Sequence, residues 1–170
     1  MQERRPVVAA LTADRRRRSR RLVIPAVAAV VVAVDQITKT RALHHTDPAR
    51  HVVGPINLVL TFNSGAAFSM GRGVTPIIET VAVVLVIWLA FVSRRATQSG
   101  SLAVAIGLGL LLGGALGNLA DRLFRHHHSA VIDFIQAVSW WPVFNVADAS
   151  IVVGVVVLAL AYATGSGGRG

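Results

Sequence analysis

Four runs of apolar residues stand out along the chain, separated by segments where polar residues and turn formers collect. The first run starts at Leu22, stays apolar to Val34 and continues its helical pattern toward Leu43. The others are Val74 to Val92, Leu102 to Leu119 and Phe144 to Ala163. A spanning helix needs about 20 residues at a rise of about 1.5 Å. The last three runs meet that length; the first does so only if Asp35, Gln36, Thr38 and Lys39 count as helix. Pro25 and Pro76 fall in the first turn of their segments, where a missing N–H costs little. The pattern predicts an all-α membrane protein with four transmembrane helices, at about 22–43, 74–92, 102–119 and 144–163. The outer segments are then 44–73 and 120–143. In the first of these, His51 to Phe62 is rich in β-branched residues interrupted by Gly54 and Pro55, which predicts short strands and a turn. Such a small β-sheet segment would lie on the outer membrane face.

Composition supports the membrane reading. Hydrophobic residues make up 54% and charged residues 15% of the 170, with a mean hydropathy of +0.61. Soluble domains carry roughly 25% charged residues. The absence of cysteine excludes disulfides and thiolate chemistry. A net charge of +9 would suggest nucleic acid in a soluble protein, but eight of the 17 Lys and Arg precede residue 22. Membrane lipids with anionic headgroups are the expected partner, and nucleic acid is not. Residues 1–21 therefore read as a basic, disordered cytoplasmic head, 22–163 as the membrane domain and 164–170 as a cytoplasmic tail. With both termini and the 93–100 loop inside, 11 basic residues share that side against six outside. A cleavable signal peptide is the competing account of the first segment, but no small-residue cleavage site follows Val34-Asp35-Gln36.

Charged residues in or beside spanning helices are costly, so each is a candidate functional group. Asp35, Glu79, Asp121, Asp133 and Asp148 all map to the outer half of the membrane or its surface. Asp35 lies about 20 Å along a hydrocarbon core roughly 30 Å thick, and Asp148 lies about 6 Å below Phe144. Asp35 with Lys39, Asn118 with Asp121 and Arg122, and Asn145 with Asp148 each share one side of a helix. Plain structural accounts compete: an i,i+4 ion pair for Asp35–Lys39, a C-terminal polar cap for Asp121–Arg122 with Asn118, and an interfacial position for Glu79. Asp133 is flanked by Ile132, Phe134 and Ile135, and Asp148 has no base within reach on its own helix. Gly109, Gly113 and Gly117 repeat at a spacing that permits close helix approach. His126, His127 and His128 cannot all face one ion and lack a spaced partner, so neither a metal nor another cofactor is expected. Ser64 and Ser69 have no evident base.

Five blocks carry a resemblance: Asp35-Gln-Ile-Thr-Lys39, Phe62-Asn-Ser-Gly-Ala-Ala-Phe68, Gly117-Asn-Leu-Ala-Asp121-Arg122, Val131-Ile-Asp-Phe134 and Phe144-Asn-Val-Ala-Asp148. In this order, across roughly residues 22–163, they resemble the lipoprotein signal peptidases (signal peptidase II), small four-helix aspartic peptidases of bacterial membranes. The resemblance implies cleavage of the signal peptide from a prolipoprotein whose cysteine carries a diacylglyceryl group. It matches Asp133 and Asp148 to the catalytic pair. It matches Asp35, Asn63, Asn118, Asp121, Arg122 and Asn145 to positions that support or line the site, with Lys39 inside the first block. The Arg-rich head and the histidine run depart from the family pattern without touching a block.

The chemistry is intelligible from the residues as well. Two carboxyl groups close together in a poorly solvated site share one proton. The ionised member can take a proton from water while the neutral one donates to the scissile carbonyl. Which aspartate does which is a property of the pair. A small ion-coupled transporter is the alternative, since buried acids also mark ion paths. Against it, the inner halves of the second to fourth helices are apolar. The expected state is a multi-pass monomer of the bacterial cytoplasmic membrane with its site near the outer face.

Overall fold

The computed structural model describes residues 4–45, 49–64, 75–96, 101–125 and 129–166. Four helices and three strands follow in the order α1 (Arg4–His45), β1 (Arg50–Val53), β2 (Ile56–Asn63), α2 (Thr75–Ala96), α3 (Leu102–Phe124), β3 (Val131–Gln136) and α4 (Val146–Ser166). Among the described residues, three stretches are long and apolar enough to cross a membrane: Leu22–His44, Leu102–Phe124 and Val146–Thr164. In α2 the described apolar stretch is the shorter Thr80–Val92.

α1 differs from the expected element at its start. It is continuous from Arg4, so the segment read as a disordered head is helical backbone over 4–21. Its residues include Ala9, Ala10, Leu11 and a run of arginines, all strong helix formers. Extending a helix that already exists avoids the cost of nucleation. Pro25 is consequently internal rather than in a first turn, and its missing N–H leaves the Arg21 carbonyl without the usual i+4 donor. Pro76 does sit at a helix start, one residue after Thr75.

α3 is the central helix, and its glycines set the distances to its neighbours. A Cβ at Gly109 would lie 2.7 Å from Val27 Cβ, and one at Gly113 would lie 2.7 Å from Val31 Cβ and 2.9 Å from the Ala28 carbonyl oxygen. These glycines face α1. Gly107 and Gly114 face α4, where added Cβ atoms would meet Leu158 at 2.8 Å and the Ala147 carbonyl at 2.5 Å. In lipid the helices gain little from burying apolar surface, so close backbone approach supplies much of the attraction. Ile24, Val104, Ala105 and Leu108 form the buried apolar cluster. Val81, Ile87 and Trp88 on α2, and Val152, Val155 and Leu160 on α4, point outward, as side chains facing acyl chains would.

α3 also runs further than expected, to Phe124. Asn118, Asp121 and Arg122 therefore belong to its last two turns rather than to a cap beyond it. Ser101 caps the other end, its side chain accepting from Val104 N.

The hairpin expected between His51 and Phe62 is present, with β1 and β2 antiparallel and Gly54 in the left-handed region at φ 54°. β3 joins the other side of β2, giving an antiparallel sheet in the order β1-β2-β3. Thr61 lies opposite Asp133, and Asn63 opposite Val131. Phe144, expected as the start of the fourth helix, instead continues the sheet: its N–H donates to Ile135 O at 3.0 Å, and its carbonyl accepts from Ile135 N at 2.8 Å. α4 begins just after it.

Gly113→Val tests the packing. The added atoms would meet Ala28 backbone, which cannot swing away, so the variant should lose about 1–3 kcal/mol, read as a lower Tm in detergent. Val152→Ala, on the outward face, should leave the Tm nearly unchanged.

Candidate active site

At the C-terminal ends of α1 and α3, polar and charged side chains meet with no exposed surface. Lys39, Asp35, Asp121 and Asn145 are all 0% exposed. Lys39 Nζ lies 2.9 Å from Asp35 Oδ2 and 2.8 Å from Asp121 Oδ2, and donates to Asn118 Oδ1 at 3.0 Å. Three acceptors thus take the three protons of one ammonium. The i,i+4 pair Asp35–Lys39 is real, but it is part of a buried cluster spanning two helices.

The two carboxylates use their remaining capacity to hold other elements. Asp35 Oδ1 accepts from Ala147 N at 3.0 Å, satisfying a donor in the first turn of α4. Asp121 Oδ2 accepts from Ile132 N at 3.1 Å and so anchors β3. Gly117 lies between Asp35 and Ala147: a Cβ there would be 2.7 Å from Asp35 Oδ2 and 3.3 Å from Ala147 Cβ.

From this base the asparagines reach the other two aspartates. Asn118 Nδ2 donates to Asp148 Oδ1 at 2.8 Å. Asn145 Nδ2 lies 2.6 Å from Asp133 Oδ1, 3.1 Å from Asn118 Oδ1 and 3.3 Å from Ile132 O. Asn145 also forms a reciprocal cap with Asp148. Asp148 N donates to Asn145 Oδ1 at 2.9 Å, and Asn145 N donates to Asp148 Oδ2 at 3.2 Å. Asn63, at the end of β2, donates to Asp133 Oδ2 at 3.0 Å. Every carboxylate oxygen of Asp133 and Asp148 therefore has an N–H donor. Asn145 bridges the pair, and Asn118 links Asn145 to Asp148 from the other side.

Asp133 is 2% exposed and lies in β3, whose Val131, Ile132 and Phe134 are buried as well. Burial pushes its carboxyl above the usual aspartate range, and the negative charge of Asp148 adds to the rise. Hydrogen bonds from Asn63 and Asn145 and the charge on Lys39 oppose it without cancelling it. A carboxyl whose proton affinity is raised beside a second carboxyl favours the sharing of one proton by a pair.

The structure brings together Asp133, Asp148, Asp35, Lys39, Asn63, Asn118, Asp121 and Asn145. Arg122 is less central: its Nη1 donates to the Asn118 carbonyl at 3.3 Å. Side-chain placement of Glu79 and the run His126–His127–His128 lie outside the described residues. Gln36 and Arg125 belong to the network although the sequence reading did not assign them to the site. Gln36 Nε2 donates to Asp121 Oδ1 at 2.9 Å and to Gly117 O at 3.1 Å. Arg125 Nε lies 3.1 Å from Asp121 Oδ1, and its Nη2 donates to the Gln36 side-chain oxygen and carbonyl and to Thr40 Oγ1. The i,i+4 spacing of Asp121 and Arg125 was the available signal.

Apolar helices around a buried Asp133 and a half-buried Asp148 define a membrane protein with two carboxyl groups tied to one asparagine. A family model described as signal peptidase (SPase) II matches residues 27–164. The lipoprotein signal peptidase of Rhodococcus jostii is 46% identical over 145 residues, spanning 82% of this chain and 71% of its own. That of Mycobacterium avium is 42% identical over 154 residues, spanning 86% and 82%. A solved structure described as a bacterial membrane enzyme, determined by the in meso method at 1.9 Å resolution, superposes with a TM-score of 0.71 at 26% identity, covering 82% of this chain and 91% of that one. The chain belongs to the signal peptidase II family. It is accordingly an aspartic-type peptidase and a multi-pass bacterial membrane protein, which sets the transporter reading aside.

Lys39→Met should leave Asp35 without its cation and Asp121 with Arg125 alone. Breaking a buried ion pair from one side costs about 3–5 kcal/mol. Thermal unfolding in detergent should show the loss, and Asp35→Asn should be milder because it leaves Lys39 paired with Asp121.

Proposed function

We propose that Asp133 and Asp148 form the catalytic dyad of a lipoprotein signal peptidase, which cleaves the signal peptide from a prolipoprotein bearing a diacylglyceryl-modified cysteine. One observation carries the assignment: the two carboxyl groups, from β3 and α4, are bridged by Asn145, with Asn118 also donating to Asp148 and the proton affinity of Asp133 raised. The pair holds one proton. Its ionised member takes a proton from water as the water oxygen bonds to the scissile carbonyl carbon, and the neutral member donates to the carbonyl oxygen. The tetrahedral intermediate then collapses. The C–N bond breaks, the proton taken from water passes to the departing amine nitrogen, and the carbonyl oxygen returns its proton to the pair. Asn63, Asn118 and Asn145 hold the carboxyl groups in place, and no step requires a cofactor.

The reading extends to placement. The chain crosses the membrane four times as a monomer, with α2 as the fourth span, both termini cytoplasmic and the sheet on the outer face. The basic count supports that orientation. It puts the dyad just beneath the outer headgroups, at the level where a diacylglyceryl anchor holds its cysteine. The acids lie at one end of the apolar spans, as this requires.

Asp133→Asn and Asp148→Asn test the dyad. Each is nearly isosteric but cannot serve as base or share the proton, so cleavage of a diacylglyceryl prolipoprotein should fall by at least about 100- to 10,000-fold. Insertion and Tm should be retained. Near wild-type cleavage by either variant would overturn the assignment. Removal of residues 1–19 tests the division between head and peptidase domain. Arg20, Arg21, Arg94 and Arg95 remain as an orientation signal, so correctly inserted protein should process substrate at a near-normal rate. Its complete failure to do so would place the head within the site.

A further inference from the structure

We propose that Arg125 is a positioning residue for the dyad: by pairing with Asp121, it offsets the negative excess of the Lys39–Asp35–Asp121 cluster beneath the two aspartates and keeps their shared proton labile. The proposal rests on Asp133 and Asp148 being that dyad.

Counting charges gives the argument. Lys39 is bound by two carboxylates, Asp35 and Asp121. The three alone sum to one negative charge, placed where Asn118 links Lys39 to Asp148. Arg125 supplies the missing positive charge on the far side of Asp121, with Nε 3.1 Å from Oδ1 and its side chain only 17% exposed. Its placement is determined, since Nη2 also donates to the Gln36 carbonyl at 3.1 Å and to Thr40 Oγ1 at 3.0 Å, both on α1. A planar fork can hold Asp121 and the α1 backbone together in this way; a point charge cannot.

The charged groups around the dyad, by element, are Asp35 and Lys39 from α1, Asp121, Arg122 and Arg125 from α3, Asp133 from β3 and Asp148 from α4. β2 contributes the neutral Asn63 and Thr61. Without the Arg125 charge, the surroundings of the pair are one unit more negative, which disfavours its ionisation. Both the loss of the first dyad proton and the loss of the second would move to higher pH, so the whole bell-shaped rate profile would move upward. A buried charge two or three side chains away shifts a carboxyl by about one pH unit.

The chain lacks cysteine, so Arg125→Cys in the full-length protein introduces a single thiol. The thiol is capped either with a methyl methanethiosulfonate, leaving a neutral side chain, or with its aminoethyl counterpart, restoring an ammonium. Initial rates of prolipoprotein cleavage are then measured against pH. The neutral cap should displace the bell upward by about one unit relative to wild type. About one unit below the wild-type optimum this is a loss of roughly 10-fold, which the ammonium cap should largely restore. An unmoved bell with only a lower maximum, or equal rescue by both caps, would make Arg125 merely structural and overturn the proposal. If Arg125→Cys does not accumulate, Arg125→Lys carries the test: it keeps the charge and should keep the bell in place at a reduced rate, and a displaced bell overturns the proposal. Failure of the dyad reading looks different, because Asp133→Asn and Asp148→Asn would then remain active.

Discussion

An ammonium removed from water in this region would cost several kcal/mol if left unpaired. Lys39 is stable there because Asp35, Asp121 and Asn118 take all three of its protons, at 2.9, 2.8 and 3.0 Å. The partners come from α1 itself and from α3, so these helices cannot slide past each other by a turn without orphaning a charge. Asp35 and Asp121 then each hold a backbone N–H from elsewhere, Ala147 on α4 and Ile132 on β3. One buried cation thereby fixes the mutual register of three helices and a strand.

Asp133 and Asp148 are held differently. The described hydrogen bonds to Asp133 and Asp148 come from amide N–H groups, not from the cations. A lysine or arginine directly on either carboxylate would strongly favour the ionised form. Neutral amides orient the oxygens with a weaker bias, so burial and the second carboxylate can still raise the proton affinity of Asp133. Asn118 separates the two regimes: its oxygen accepts from Lys39 and Asn145, and its nitrogen donates to Asp148. The amide passes on position while diluting charge.

Much of this was legible in sequence because membrane placement makes polar residues expensive. The helical runs, the Gly54–Pro55 hairpin, the four central aspartates and Asn63, Asn118 and Asn145 all stood out against apolar surroundings. β3 did not. Val131 to Phe134 is buried at every position, so it shows no alternation, and its partner β2 lies far away in sequence. Phe144 was assigned to a helix because only its bonds to Ile135 show otherwise. Gln36 is uncharged, and Arg125 reads as an ordinary base near a helix end. The i,i+4 spacing of Asp121 and Arg125 hints at their pairing, but the bonds of Arg125 to Gln36 cross from α3 to α1 and no local pattern encodes them. The helical start of α1 at Arg4 follows from propensity that the density of arginines obscured.

The glycines and the charges solve one packing problem together. Close backbone approach along α3 sets how near α1 and α4 can come, but a stripe of glycines alone leaves sliding and rotation weakly opposed. The polar cluster supplies the missing specificity, and it needs the glycines in turn. At Gly117, Asp35 and Ala147 approach from opposite neighbours, and their hydrogen bond passes where a side chain would stand. A larger residue there would push α1 away from α4 and remove the acceptor for Ala147 N. Asp148 lies one residue further along α4, so the same shift would move its carboxyl relative to Asp133, which is tied to β3. Helix spacing and dyad geometry are therefore coupled through a position that carries no functional group of its own.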